Sequence, residues 1–260
     1  MKYRENVQVL AVSRVGTDIF SLLLQTRSIA AEAVPGQFVS VYCNDASRLL
    51  PRPISICGAD PDSGELRLVF RIAGRGTEEF SRLRAGDRVD ITGPLGNGFP
   101  LTAAAGRRVL LIGGGIGIPP MLQLADTLVE LEDAADVTAV LGYRNAETFL
   151  AEEFPCRCAV ASEDGSVGTK GTVLDAIRGE RLEADVIYAC GPTPMLRALA
   201  RYAQENGIEC WLSLEEKMAC GIGACLSCVC RSAETDPHSQ VRNKRVCTEG
   251  PVFLSTEIEL

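Results

Sequence analysis

The sequence predicts a β plus α/β fold: an antiparallel barrel, then a doubly wound parallel sheet, then a cysteine-rich segment with no core of its own. Short apolar strands broken by turns fill residues 1 to about 100. Strand and helix alternate from Arg107 onward, and both periodicities disappear after Leu214. We therefore expect three units, at residues 1–101, 102–214 and 215–260.

The barrel is predicted from six short strands, which are separated by turn signals such as Pro35-Gly36 and Gly86-Asp87. Residues with the pattern of a short helix interrupt them once, at about 78–83. The predicted strands cover residues 7–12, 19–24, 37–42, 54–57, 66–71 and 89–92.

The second unit is predicted from strands that alternate with helices. The apolar strands cover 109–112, 137–141 and 186–189, and the helical patterns cover 119–132, 172–177 and 193–206. Because this alternation is typical of crossover connections, we expect a parallel sheet with helices on both faces.

Composition excludes several classes of function. The chain has 34 acidic and 26 basic residues, for a net charge of -8, which argues against nucleic acid or an anionic membrane surface as the main partner. Its longest apolar runs, such as 109–112, are far shorter than the ~20 residues of a membrane-spanning helix. The first five residues lead into no apolar signal region, so a cytoplasmic location is expected.

The eleven cysteines are the unusual feature of the composition. Cys220, Cys225 and Cys228 form a C-x4-C-x2-C pattern, and Cys247 follows after 18 residues. This is the plant-type order of [2Fe-2S] ligands, although four cysteines also suit a structural zinc ion. Cys230 fits no position of the pattern and is expected not to bind metal. The single histidine, His238, is expected to be solvated, and a Rieske centre needs two.

Two glycine turns follow apolar strands and precede helices. The first contains Gly113, Gly114, Gly115 and Gly117, and the second is Cys190-Gly191-Pro192. Neither matches G-x-G-x-x-G, yet both would fall at the carboxyl edge of a doubly wound sheet, where nucleotides bind. A dinucleotide site is therefore predicted, and a pair of simple tight turns is the alternative.

Two motifs of the barrel could bind a phosphate-bearing ligand. Arg52 and Ser55 begin a predicted strand, while Gly76 and Thr77 lead into the short helix. Together they offer a guanidinium, hydroxyl groups and free amides. The alternative is a surface arginine beside an ordinary helix cap.

Together these motifs resemble the ferredoxin reductase superfamily, which combines R-P-x-S and G-x-G-T in a flavin barrel with G-G-G-x-G and C-G-P in a nicotinamide domain. The sequence is more similar still to the electron transfer subunits of class B dihydroorotate dehydrogenases. That similarity lies in G-P-L-G-N-G-F at 93–99 and in the segments 212–215, 218–225 and 246–253.

The resemblance implies an oxidoreductase subunit that carries FAD and a [2Fe-2S] cluster and uses NAD. It implies that Cys220, Cys225, Cys228 and Cys247 bind the cluster, and that Cys190 lies near the nicotinamide. The FAD-binding residues would be Arg52, Pro53, Ile54, Ser55, Phe70, Arg71, Ile72, Gly76 and Thr77.

The same resemblance implies a partner. An FMN-containing catalytic subunit would oxidise dihydroorotate in pyrimidine synthesis, and the complex would be a heterotetramer with two copies of each chain. Electrons would then pass through the cluster and FAD to NAD.

Two alternative functions stay open from the sequence. The chain could be a subunit of an NADH-dependent ferredoxin:NADP oxidoreductase or of a sulfide dehydrogenase, or it could be a non-catalytic module stapled by zinc. The choice between NAD and NADP also stays open. Gly142-Tyr143-Arg144-Asn145 carries no acid for the ribose hydroxyls, and Arg144 could accept a 2′-phosphate.

Overall fold

The computed structural model describes residues 1–131, 136–236 and 240–260. Its first unit is a closed barrel of six antiparallel strands in the order β1-β2-β5-β4-β3-β6, as the sequence predicts. The barrel strands are β1 (Tyr3–Gly16), β2 (Ile19–Gln25), β3 (Phe38–Val41), β4 (Arg52–Ala59), β5 (Glu65–Arg71) and β6 (Arg88–Leu95).

Two short helices accompany the barrel, α1 (Ile29–Glu32) and α2 (Arg75–Phe80). The prediction of a single helix at 78–83 is therefore wrong in number and in position. Helix α2 begins early because the Thr77 hydroxyl accepts hydrogen bonds from the amides of Ala73 and Gly74, at 2.9 and 3.2 Å, which fixes the first turn.

The second unit is a seven-stranded sheet in the order β10-β9-β8-β7-β11-β12-β15. Its neighbouring strands are parallel except for β15, which runs antiparallel to β12. The strands are β7 (Val109–Gly114), β8 (Val137–Tyr143), β9 (Arg157–Ser162), β10 (Thr169–Lys170), β11 (Val186–Cys190), β12 (Glu209–Ser213) and β15 (Val252–Leu254).

Helices cover both faces of this sheet, which confirms the doubly wound prediction. They are α3 (Ile118–Val129), α4 (Val173–Gly179) and α5 (Thr193–Asn206). Helix α3 packs on one apolar layer, while α4 and α5 pack on the other. The predicted end of α3 at residue 132 lies outside the described residues. Every residue of β7 is buried, as expected of a strand covered on both faces.

The barrel and the sheet share an apolar layer. Ile19, Cys57, Val69 and Phe99 of the first unit belong to the same buried cluster as α3. The Arg67 guanidinium also pairs with the Glu153 carboxylate across this contact. The two units therefore meet through packed side chains.

The cysteine-rich segment contains three short antiparallel strands, β13 (Val229–Ser232), β14 (Lys244–Arg245) and β16 (Ile258–Glu259), in the order β14-β13-β16. The expectation that it lacks a core is wrong. Cys228, Val246, Cys247, Phe253 and Ile258 form a buried cluster with two barrel residues, Phe38 and Leu95.

None of the helices in the described residues is long and apolar enough to cross a membrane.

Candidate cofactor sites

The two phosphate-binding motifs predicted in the barrel lie against each other. Arg52 starts β4, and its guanidinium lies over Gly76 at the start of α2, so that a Cβ atom added at Gly76 would be 2.2 Å from Arg52 Nε. Residue 76 must therefore be glycine if the guanidinium is to stay on the loop. The remaining residues of the first motif, Pro53, Ile54 and Ser55, are half-buried on β4 and pair with β3.

The other residues predicted to bind FAD differ in what they can offer a ligand. Phe70 is 2% exposed and its ring contacts Phe20 and Phe80 in the barrel core, so only its backbone is available. Ile72 is half-buried, and its amide donates to the Asp18 carbonyl oxygen at 2.8 Å. Thr77 is buried, and its hydroxyl shapes its own loop.

Arg71 is the predicted FAD residue that joins the barrel to the nucleotide turns. It is the exposed last residue of β5, and its Nη2 lies 3.9 Å from where a Cβ atom of Gly115 would be. Gly115 has a φ of 54° in the left-handed region, which favours glycine. The guanidinium therefore stands at the mouth of the first glycine turn.

The two glycine turns pack directly against each other where the strand order of the sheet reverses. β7 lies between β8 and β11, so the turn that follows β7 lies beside the turn that follows β11. A Cβ atom at Gly117 would be 2.3 Å from the Cys190 carbonyl oxygen, and one at Gly114 would be 2.6 Å from Met195 Sδ. The remaining glycine, Gly113, lies against Ile118. The turns can approach this closely because they lack side chains.

Cys190 ends β11, and the Gly191-Pro192 turn then leads into α5. Burial raises the pKa of the Cys190 thiol to about 12, although a hydrogen bond with the Ser213 side chain opposes the shift. The thiol is therefore protonated at neutral pH. It can contact a nucleotide ring, but it is no base or nucleophile.

Arg144 follows β8 at the same carboxyl edge and is exposed. Its carbonyl oxygen accepts the Asp164 amide at 3.3 Å, while the Asp164 carboxylate binds Ser166. Within residues 1–131, 136–236 and 240–260, Arg144 makes no ion pair. A free cation thus lies where the ribose of a dinucleotide would be expected.

The four cysteines of the predicted cluster site converge as two pairs. The Cys220 thiol is a hydrogen-bond partner of Cys225, and Cys228 is a partner of Cys247. Cys228 and Cys247 are buried, whereas Cys225 is exposed. In a [2Fe-2S] cluster each iron takes two of four thiolates, which this arrangement matches.

The pairing fits two irons better than one zinc ion. A structural zinc ion needs four ligands around one centre. The two cysteine pairs instead offer two sulfur ligands to each of two iron centres.

Backbone amides surround the sulfur atoms of this loop. Burial would raise the pKa of Cys220, but hydrogen bonds from the amides of Ile222, Cys225 and Ala224 and from the Cys225 thiol outweigh it and lower the pKa to about 6. The Gly223 amide donates to Cys247 Sγ at 3.1 Å. Amides aimed at sulfur stabilise thiolates, which are the form that binds iron.

Thr248 adds a polar group that the sequence prediction missed. Its Oγ1 is buried and has no hydrogen-bond partner among the residues described, and it would lie 3.2 Å from a Cβ atom at Gly223. A buried hydroxyl without a partner is uncommon, and an inorganic sulfide of a cluster could accept a hydrogen bond from it. The sequence could have indicated a role for Thr248 near the cluster, because this residue directly follows Cys247.

The cluster loop, residues 220–228, contacts the barrel. Gly221 has a φ of 67°, and a Cβ atom there would be 2.9 Å from Ser40 Oγ on β3. The segments 93–99 and 246–253, which carry the family resemblance, also meet. The Asn97 backbone amide donates to the Gly250 carbonyl oxygen at 2.7 Å, and its side chain donates to the Glu249 carbonyl oxygen. The barrel therefore contacts both the cluster loop and the segment that follows Cys247.

The sequence predicts that Cys230 and His238 do not bind metal, and the structure describes only Cys230. Cys230 is half-buried, and burial raises its pKa. It pairs with Lys244 through the β13 and β14 backbones. His238 lies outside the described residues. The prediction that Cys230 is no ligand stays a prediction.

Three known families match successive parts of the chain. Residues 7–99 match the oxidoreductase FAD-binding domain, and residues 111–201 match the oxidoreductase NAD-binding domain. Residues 215–259 match the iron-sulfur cluster binding domain of dihydroorotate dehydrogenase B.

A curated relative from Geobacillus sp. (strain WCH70), the electron transfer subunit of dihydroorotate dehydrogenase B (NAD(+)), is 44% identical over 265 residues and covers 100% of both chains. The chain belongs to the family of dihydroorotate dehydrogenase B electron transfer subunits. The relative with the same name from Bacillus caldolyticus is also 44% identical, over 99% of both chains.

Solved structures share this fold. The NADH-dependent reduced ferredoxin-NADP oxidoreductase has a chain that is 30% identical with a TM-score of 0.85, covering 98% of this chain and 90% of that one. The ferredoxin reductase in carbazole 1,9a-dioxygenase, at 23% identity and a TM-score of 0.66, shares the fold over 80% of this chain and 67% of its own. The predicted FAD, NAD and [2Fe-2S] cofactors are confirmed as classes by the matched domains.

Proposed function

We propose that this chain takes electrons from the FMN of a catalytic partner that oxidises dihydroorotate, and delivers them through a [2Fe-2S] cluster and FAD to NAD+. The proposed units are 1–101 for FAD, 102–214 for NAD and 215–260 for the cluster. The proposed complex has two copies of each chain and works in the cytoplasm. The free state of all eleven cysteines suits that reducing compartment.

The observation that carries the proposal is the position of the R-P-I-S motif between the other two sites. Ser40 of β3 pairs with Pro53 of that motif, and Gly221 of the cluster loop lies against Ser40. Across the barrel, Arg71 reaches Gly115 of the nucleotide turn. A ligand at Arg52–Ser55 would therefore have the cluster loop on one side and the dinucleotide on the other.

Placing FAD between the nicotinamide and the cluster suits the number of electrons that each cofactor exchanges. A bound flavin exchanges two electrons with a nicotinamide and single electrons with a cluster, so it supplies the conversion between them. The chain's own residues bind and orient: Arg52 supplies positive charge beside the Gly76 loop, and Gly117 lets the two nucleotide turns close together. The protonated Cys190 offers a neutral contact. The proton chemistry of dihydroorotate is assigned to the partner.

The cluster loop also offers a surface for the partner. Ile222 and Leu226, between the cluster cysteines, are 53% and 59% exposed. Apolar side chains this exposed are typical of surfaces that another protein covers. Docking there would bring the partner's redox centre toward Cys225, the exposed ligand.

The test is Cys225→Ser, with Cys230→Ser as the matched control. Purified anaerobically, the Cys225→Ser chain should lose the cluster but keep FAD and its reduction by NADH. Electron transfer from the FMN partner should be lost. The Cys230→Ser chain should behave as wild type. Loss of NADH-dependent flavin reduction in a folded, FAD-loaded Cys225→Ser chain would refute the order of transfer.

A second candidate is a subunit of an NADH-dependent ferredoxin:NADP oxidoreductase or of a sulfide dehydrogenase. It is favoured by the structural match at a TM-score of 0.85 and by the free Arg144. Purification with the native partner separates the candidates. An FMN subunit active on dihydroorotate supports our proposal, and a partner active on ferredoxin or sulfide supports the second.

A further inference from the structure

Two cysteines that the cofactor sites do not use lie together at the amino end of β9. Cys156 lies in the bend just before β9, Cys158 is the second residue of the strand, and Arg157 between them is exposed. Both are half-buried against the apolar layer under α3. The Cys158 thiol lies 3.6 Å from the Cys156 carbonyl oxygen and 3.9 Å from that of Ala151.

The two thiols also influence each other's ionisation. Hydrogen bonding between the side chains raises the pKa of Cys156 and lowers that of Cys158. Cys158 is therefore the thiol that ionises first, and the thiolate is the form that attacks a disulfide.

Two fully buried cysteines outside the cluster site show the contrast. Cys57 and Cys210 are each 1% exposed, and burial raises the pKa of both to about 12. Such thiols are inert because they are protonated and out of reach. Cys156 and Cys158 combine partial exposure with a neighbouring thiol, which is what a disulfide couple requires.

We propose that Cys156 and Cys158 are a modification site at which a low-molecular-weight disulfide, such as glutathione disulfide, reversibly forms an intrachain disulfide. The Cys158 thiolate attacks the small disulfide and expels one thiolate, leaving a mixed disulfide. The Cys156 sulfur then attacks Cys158 Sγ, loses its proton and expels the second thiolate. Two protein thiols are oxidised, and one disulfide is reduced to two thiols.

Exposed disulfides have raised reduction potentials, and both cysteines are partly exposed, so this bond would be easy to reduce. The pair lies at the amino end of a parallel strand, whereas the nucleotide turns lie at the carboxyl edge. The couple is thus separate from the electron path.

The test uses the FAD- and cluster-loaded protein under anaerobic conditions, equilibrated with glutathione and glutathione disulfide at increasing ratios of disulfide. Free thiols are alkylated and the chain is digested with trypsin. Because trypsin cuts after Arg157, a disulfide would hold two peptides together that separate on reduction. We expect this linked pair, with loss of both alkylatable thiols and recovery of both on adding reduced glutathione.

Cys158→Ser should abolish the linked peptides, and Cys210→Ser, which removes a buried single thiol, should leave them unchanged. Retention of the flavin spectrum checks that each variant is folded. The proposal is overturned if both thiols stay alkylatable at the most oxidising ratio. It is equally overturned if the wild type stops at a glutathione adduct on one cysteine, since the neighbouring thiol then fails to resolve it.

Discussion

The barrel encloses an apolar core built from its own strands and helices, whereas the cysteine-rich segment builds its small core partly from its own candidate ligands. Val39, Ile56 and Leu68 are fully buried in the barrel without any ligand. In the segment, Cys228 and Cys247 belong to the buried cluster. We therefore expect the barrel to fold without its ligand, and folding of the cysteine-rich segment to be coupled to metal binding.

The largest effect should come from removing a buried candidate ligand of the cluster. Cys247→Ser places a hydroxyl where a thiolate is needed, in the middle of the segment's core. We expect iron affinity to fall by more than about 100-fold, because even changes outside the ligand set cost ~10–100-fold. Hydrogen exchange should rise within 215–259 while 7–99 stays protected, as measured by mass spectrometry.

Cys230→Ser is the control for this change, since it removes a neighbouring thiol that the C-x4-C-x2-C pattern leaves out. It should keep its iron and its exchange protection. Equal loss of protection in the barrel and in the segment of Cys247→Ser would remove the contrast between the two regions.

The next effect should come from the nucleotide turns, which need no metal to pack. Gly117→Ala would put a Cβ atom 2.3 Å from the Cys190 carbonyl oxygen, and backbone must move to relieve it. Overpacking of this kind costs about 1–3 kcal/mol. We expect KM for NADH to rise about tenfold, at ~1.4 kcal/mol per factor of ten, with FAD and iron content unchanged.

Gly179→Ala is the matched control, because a Cβ atom there meets nothing within 4 Å. It should leave KM for NADH unchanged. An unchanged KM in Gly117→Ala as well would mean that the contact between the turns does not shape the nucleotide site.

A smaller effect should come from the barrel, where a flexible side chain can move aside. Gly76→Ala would put a Cβ atom 2.2 Å from Arg52 Nε and displace the guanidinium. We expect FAD affinity to fall about fivefold, or ~1 kcal/mol, with little change in Tm. Fluorescence titration of the FAD-free chain measures it.

Gly74→Ala controls for the loop itself, since a Cβ atom there meets nothing within 4 Å. Its φ of 172° is extended backbone that alanine adopts readily. Equal losses of FAD affinity in both variants would show that loop stiffness, and not the Arg52 contact, controls binding.

The sequence predicted the framework better than the contacts that assemble it. The all-apolar strand 109–112 and the alternation after it were enough for the parallel sheet, because periodicity is a local property. β9 and β12 lie outside the predicted elements. Their sequences, R-C-A-V-A-S and E-C-W-L-S, have short apolar runs, and tertiary pairing decides their conformation.

The candidate site shows the same limit. The cysteine spacing gave the cluster motif, but no local pattern could reveal that Gly221 seats on Ser40, or that Gly117 meets Cys190. These contacts join residues far apart in sequence. The position of α2 was wrong because the Thr77 hydroxyl bonds fix its start, and side-chain capping overrides the apolar pattern.

The smallest effect should come from a surface ion pair on the parallel sheet, because we expect packing and not charge to stabilise the sheet. The Glu209 carboxylate accepts hydrogen bonds from Arg107 at 2.7 Å and from Trp211 at 2.8 Å. Burial opposes ionisation of Glu209, but these bonds outweigh it and lower its pKa. The stabilisation is therefore full above the unfolded pKa of ~4.3 and is lost as pH falls through the folded pKa.

Glu209→Gln should accordingly lower the free energy of unfolding at pH 7 by no more than about 1 kcal/mol, the range for exposed ion pairs. The difference from wild type should shrink to nothing as pH falls from about 5 to 3. Glu205→Gln on α5 is the control, since Glu205 makes no ion pair within the described part of the chain. Thermal unfolding across pH measures both. If Glu209→Gln lowered the free energy of unfolding by as much as the overpacking in Gly117→Ala does, ion pairing would contribute more than packing to the stability of the sheet.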